Sequence, residues 1–216
     1  MFNLLSPAKL NLSLEVNSLL DNGFHNLTSI MHTLHLHDEI SISYSKNTKT
    51  VFIPSTVEGS NNSILDAVHL FQKEFYIQDQ VEIVTTKNIP TSSGLGGGSS
   101  NSAAVLKELI KINKLEVELS KQRELAFQLS SDSPFFVSGG CSLVEGQGEK
   151  ITTGLGINNL WSIIFTPLNI EISNKTRFMY SLLSKQHYSD GSITTEIFNS
   201  INQANSDLLQ LLSSTV

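Results

Sequence analysis

Residues 90–100 read PTSSGLGGGSS, and their types suit the binding of a phosphate. Gly94, Gly96, Gly97 and Gly98 leave backbone N–H groups unobstructed and permit positive φ. Ser99 and Ser100 add hydroxyls for phosphate oxygens or Mg2+. A flexible linker or a tight turn could share this composition, so the flanks decide. VEIVTTKNI (81–89) is β-branched and strand-like and stops at Pro90, and a helix is expected from about Asn101 to Asn113. A strand, a glycine turn and a helix N-terminus together make an anion site, because the helix dipole adds about half a positive charge to the open N–H groups. Two familiar nucleotide loops do not fit. A P-loop needs Gly-Lys-Ser/Thr where this chain has Gly98-Ser99-Ser100. A dinucleotide fingerprint needs a glycine at the place of Ser99 and belongs to the first strand–loop–helix unit of its fold.

Phosphoryl transfer to an alcohol also needs a positioned hydroxyl, charge neutralisation and a proton acceptor. Lys9 interrupts an apolar strand start directly after Pro7-Ala8, and Asp132 stands before Ser133-Pro134. From residue types alone, Lys9 is better read as a strand-end lysine in solvent, and Asp132 could equally be a helix or turn cap. Phe24-His25 follows the DNG turn at 21–23, where a surface aromatic and a solvent-facing histidine would be ordinary. His32, His35 and His37 invite a metal site. His35 and His37 would share a strand face, but no carboxylate or cysteine pairing completes a ligand set, and no metal site is expected from them.

These residues need elements to hold them. AKLNLSLEV (8–16) alternates as a half-buried strand, and 27–44 reads as one or two more. NNSILDAVHLFQKEF (61–75) places Ile64, Val68, Leu70, Phe71 and Phe75 at helical spacing, with Asn62 or Ser63 as cap. A helix over 117–130 would turn Leu119, Leu125, Ala126 and Leu129 inward. Residues 132–151 suggest a turn, a short apolar element and a hairpin. LWSIIFTPL (160–168) reads as a buried strand, and helical patches follow near 174–184 and 193–212. The mix is α+β, with a composition shift near 155–160.

With 216 residues the chain can bury a core in one large domain or two small ones. A net charge of −6 argues against nucleic-acid binding by phosphate neutralisation. No apolar run is long enough for a membrane span. The single Cys141 rules out an internal disulfide, and the N-terminus reads as a strand, not a signal peptide. A soluble cytoplasmic protein is the expectation.

The pattern P-x-x-x-G-L-G-G-G-S-S over Pro90 to Ser100 resembles the phosphate loop of the GHMP kinases. SPAKLNLSLEV, DNGFHNL, SSDSPFFVSGG and VEGQGEKI resemble four further segments of that family, in its order, across roughly residues 6–178. The resemblance implies a two-domain GHMP kinase fold. Its N-terminal domain, 1–155, would be like domain 2 of ribosomal protein S5, and 156–216 would be part of a ferredoxin-like α+β domain. It implies an ATP-dependent kinase using Mg2+, without nucleic-acid or membrane partners, as a monomer or weak homodimer. The segments look most like those of members that phosphorylate the 2-hydroxyl of 4-diphosphocytidyl-2-C-methyl-D-erythritol, a cytidyl diphosphate, in the non-mevalonate route to isoprenoids. Another small alcohol substrate, or nucleotide binding without turnover, is the alternative.

By the same resemblance Lys9 and Asp132 are catalytic. Asp132 would take the proton or orient the hydroxyl, while Lys9 holds the aspartate and lowers the alcohol's pKa. ATP would be held by Pro90, Gly94, Leu95, Gly96, Gly97, Gly98, Ser99 and Ser100, with Lys87 and Asn62 nearby. Phe24 would stack on the cytosine and His25 bond its edge, with Phe178 as the second stacking face and Asn11 on the substrate side; Phe178 could also be ordinary helix core. The family carries a third glycine motif after an N-D-L-like segment. NSDLLQLL (205–212) resembles that segment and the sequence stops at Val216, so an incomplete C-terminal domain is expected.

Overall fold

Alternation at the N-terminus produces two long strands in place of several short ones. In this computed structural model, which describes residues 1–44, 63–77, 81–157, 160–165 and 175–203, β1 spans Phe2–Leu19 and β2 spans His25–Tyr44. The turn between them is closed by the Leu20 amide donating to the Phe24 carbonyl at 2.8 Å and the Gly23 amide to the Leu20 carbonyl at 2.9 Å. There follow α1 (Ser63–Phe75), β3 (Val81–Thr86), α2 (Gly97–Ile112), α3 (Leu119–Leu129), α4 (Ser133–Ser138), β4 (Cys141–Gly146), β5 (Lys150–Gly154), α5 (Lys175–Ser181) and α6 (Ser192–Asn202).

The chain divides into two units interleaved in sequence. The first contains Met1–Lys9, Leu34–Thr91 and Leu95–Ser138. Here β3 pairs antiparallel with the C-terminal half of β2, from Glu39 opposite Thr86 to Tyr44 opposite Val81. Helix α2 packs against α1, α3 and α4. Its Val105, Leu106 and Leu109 join Ile64, Val68 and Phe71 of α1, Ile40 and Ile42 of β2, and Ile83 of β3 in one core. The helical spacing predicted for α1 is the face it buries. In α3, Leu125 and Ala126 are buried as expected, while Leu119 stays exposed because it opens the first turn of the helix.

The second unit contains Leu10–Thr33, Ser92–Gly94 and Gly139–Val216. Its strand order is β1-β2-β4-β5. Leu27–His32 of β2 pair antiparallel with β4, and β4 pairs with β5 through the predicted hairpin. Helix α6 packs on β4 and β5, burying Ile197, Phe198 and Ile201 against Ile30, Cys141 and Leu143. Burial pushes the Cys141 thiol up to about 11, which keeps it protonated at neutral pH.

Two expectations change. Residues 160–165 form no strand, and Trp161, Ile163 and Phe165 are exposed; residues 166–168 lie outside the described residues. An apolar run becomes a strand only when a neighbour takes its N–H and C=O groups. No described strand does so here. Helix α2, in turn, begins at Gly97 and not near Asn101, so two of the loop glycines form its first turn. Asn62 and the segment 205–212 lie outside the described residues.

Candidate active site

Each candidate of the first unit is set by a local device. Lys9 lies on β1 at 6% exposure, where its backbone amide donates to the Leu95 carbonyl at 2.9 Å. That bond ties the strand to the last residue before the Gly96 cap of α2. Gly96 has φ of +72°, and a Cβ there would stand 3.0 Å from Lys9 Cγ and from the Phe136 ring. Only glycine lets the Lys9 stem and Phe136 close on the loop at this point. Gly97 is also closely approached. A Cβ there would lie 3.1 Å from Ile89 Cγ2 and 3.3 Å from Lys87 Nζ.

The Lys9 ammonium reaches the Asp132 carboxylate at 3.5 Å. Asp132 lies in the turn between α3 and α4, and its neighbours hold that turn against the start of α2. Ser130 Oγ donates to Ser99 Oγ at 2.8 Å, and Ser133 Oγ donates to the Ser99 carbonyl at 3.2 Å. Ser102 donates to the same carbonyl at 3.0 Å. Ser6 Oγ of β1 donates to Ser100 Oγ at 2.7 Å, in a buried contact. Of the two loop serines, Ser99 is therefore the one that retains solvent access.

A carboxylate the sequence reading did not single out lies behind the loop. Asp38 on β2 is 0% exposed. Its Oδ1 accepts from the amides of Asn88 and Ile89, each at 2.8 Å. Its Oδ2 accepts from Asn101 Nδ2 at 2.9 Å and from the Lys87 ammonium. Burial alone would raise the Asp38 carboxyl, but the Ile89, Lys87, Asn88 and Asn101 hydrogen bonds outweigh it and hold the group below the usual carboxylate range. Lys87, expected near the nucleotide, is thus placed by Asp38 at the glycine turn.

In the second unit His25 opens β2 and is flanked by Tyr180 and Tyr188, at ring-centroid distances of 5.1 and 5.9 Å. Tyr188 Oη lies 3.5 Å from His25 Nε2. Neither tyrosine was anticipated; only the aromatic content of 180–188 could have hinted at them. Phe24 is 55% exposed, with its amide donating to Asn22 Oδ1 at 3.1 Å. Phe178, on α5, is 50% exposed and so is not helix core. Asn11 Nδ2 donates to Ser29 Oγ at 2.7 Å. His32 is a packed histidine, its Nδ1 at 2.7 Å from the Thr33 carbonyl and its Nε2 accepting from the Ile157 amide at 3.3 Å.

The fold has clear counterparts. A sequence profile of the GHMP kinases N terminal domain matches residues 62–140. A 4-diphosphocytidyl-2-C-methyl-D-erythritol kinase of Dehalococcoides mccartyi is 36% identical over 204 residues, which are 94% of this chain and 72% of that protein. The chain belongs to the GHMP kinase family. A kinase of the same description from Pseudothermotoga lettingae is 37% identical over 182 residues, covering 84% of this chain and 64% of that protein. Among solved structures, a 4-(cytidine 5'-diphospho)-2C-methyl-D-erythritol kinase superposes with a TM-score of 0.73 at 24% identity, over 94% of this chain and 72% of that one. The phosphomevalonate kinase of Streptococcus pneumoniae gives 0.69 at 11% identity, over all of this chain and 77% of that one. These two structures share the GHMP fold, and the mixed helix and antiparallel-sheet composition agrees with it. No helix among the described residues is long and apolar enough to cross a membrane.

Proposed function

We propose that this GHMP kinase transfers the γ-phosphoryl group of ATP to the 2-hydroxyl of 4-diphosphocytidyl-2-C-methyl-D-erythritol. The observation that carries the reading is the Lys9–Asp132 pair, 3.5 Å apart, with Lys9 packed on the glycine that caps α2. The relatives' activity supports the choice of substrate. Residues 1–155 act as the N-terminal kinase domain and 156–216 as part of the C-terminal one, in a cytoplasmic protein.

The residues present fit a triphosphate. Gly96, Gly97 and Gly98 put no side chain over the backbone N–H groups of the turn, Lys87 supplies a cation beside Gly97, and the first turn of α2 offers N–H groups with no acceptor inside the helix. Gly96 to Ser99 would hold the phosphates with Lys87, and the Ser99 hydroxyl suits Mg2+ or a phosphate oxygen. Bound ATP supplies the phosphoryl group, and its Mg2+ neutralises the charge that develops on transfer. Asp132 accepts the proton of the attacking hydroxyl or orients it. Lys9 fixes the Asp132 carboxylate and favours the alkoxide by its positive charge. Phe24, Phe178, His25 and Asn11 are assigned to the cytidyl end, where an aromatic face stacks on a base and a ring nitrogen bonds its edge.

The test is ADP release by the full chain with ATP, Mg2+ and the cytidyl substrate. Turnover that depends on the cytidyl substrate is the expected result. ATP binding without turnover would leave a nucleotide-binding protein in place of a kinase.

A further inference from the structure

We infer that Asp38 is a positioning residue for the nucleotide phosphates, acting through Lys87 and Asn101 on both limbs of the glycine turn. The inference rests on the kinase reading above. The β2–β3 ladder ends at Glu39 opposite Thr86. One residue further, the chain must leave the sheet and enter the turn, and its amides lose their strand partner. Asp38 replaces that partner. Its Oδ1 takes the Asn88 and Ile89 amides, so the entering limb is fixed up to the residue before Pro90. Its Oδ2 takes Asn101 Nδ2, which lies on α2 five residues after the Gly96 cap, so the leaving limb is fixed by the same carboxylate.

The remaining donor is the Lys87 ammonium. The Lys87 side chain is a quarter exposed, whereas Asp38 is fully buried. The cation therefore has one side on Asp38 and another available to a ligand, 3.3 Å from where a Cβ on Gly97 would stand. A lysine on a flexible stem loses much rotamer freedom on ordering, and a buried carboxylate that fixes it removes that loss from the binding step. Burying a carboxylate is unfavourable unless its lone pairs are taken, and four donors take them here. A strand end that needed only closure could use a neutral side chain. The charge is explained by the ammonium it holds at the phosphate loop.

Titration of the full chain with MgATP, followed by calorimetry, tests this. Asp38→Asn keeps the shape but turns an amide toward Lys87 and Asn101, and a loss of about 10- to 100-fold in ATP affinity is expected, the range for a charge-assisted hydrogen bond. In a Lys87→Met background the same substitution should lose far less, because the two residues act on the ligand together. A folded Asp38→Asn protein that binds MgATP as the wild type does, with only its thermal midpoint lowered, would reduce Asp38 to a structural role and overturn the inference. Should Asp38→Asn not fold, Asn101→Ala and Lys87→Met take over, and unchanged ATP affinity in both overturns it equally. A wild-type chain that binds no MgATP removes the kinase reading and this inference with it. Wild-type binding with an unaffected Asp38→Asn removes this inference alone.

Discussion

Residues 87–102 and residues 160–165 are both unusual stretches, one dominated by glycine and serine and the other by large apolar side chains. It is the polar stretch that is packed and bonded. Ile89 and Leu95 are buried in a small cluster with Ala8, and Lys87, Asn88, Ile89, Ser99, Ser100 and Asn101 all have named hydrogen-bond partners. In the apolar stretch Trp161 is 94% exposed and Phe165 87%. Hydrophobicity supplies a driving force but no geometry. A backbone is fixed where its N–H and C=O groups have partners, and Asp38 accepts from two of the N–H groups that lead into the turn.

The contrast can be broken by substitutions on either side. Leu106→Ala, in the fully buried face of α2 that backs the turn, should destabilise by about 2–5 kcal/mol in urea unfolding. A loss under about 1 kcal/mol would mean that α2 is not part of a cooperative core. Gly96→Ala should cost about 1–3 kcal/mol through its positive φ, and more where the new Cβ displaces Lys9 or Phe136. Unchanged stability would show that the turn relaxes freely and that the close approach of Lys9 is incidental.

The acid response isolates Asp38. Its carboxyl lies below the ordinary carboxylate value in the folded chain, so its contribution is present above the unfolded value of about 4 and is lost as pH falls through the folded one. The stability gap between wild type and Asp38→Asn should narrow as urea midpoints are followed from pH 7 downward through that window. A constant gap would mean that the charge does not hold the turn. At the small end, Trp161→Ser should change stability by no more than about 0.5 kcal/mol, as at other exposed sites. A loss of several times that would show the indole to be covered.

The same contrast separates what the sequence made legible from what it did not. The strand before Pro90, the helix after it and the turn at Asp132 were readable because their signals are local. The early start of α2 was not: glycine is a weak helix former, and Gly97 and Gly98 are helical because the tertiary setting of the turn outweighs propensity. Asp38 was hidden for another reason. In LHLHDEI it looks like one more polar residue on an alternating strand, and its partners lie 49 to 63 residues away. Tyr180 and Tyr188 beside His25 were missed likewise, more than 150 residues along the chain. The strand predicted over 160–168 is absent from its described part, 160–165, because an apolar run carries no information about its pairing partner.

The central claim is that Lys9 and Asp132 act on a hydroxyl beside the glycine turn. It is tested most directly by the Asp132→Asn protein assayed for both MgATP affinity and ADP release with the cytidyl substrate. The account predicts retained ATP affinity with turnover lowered by at least ~100-fold, the scale of a positioned acid–base group. Turnover within a few-fold of wild type would contradict it.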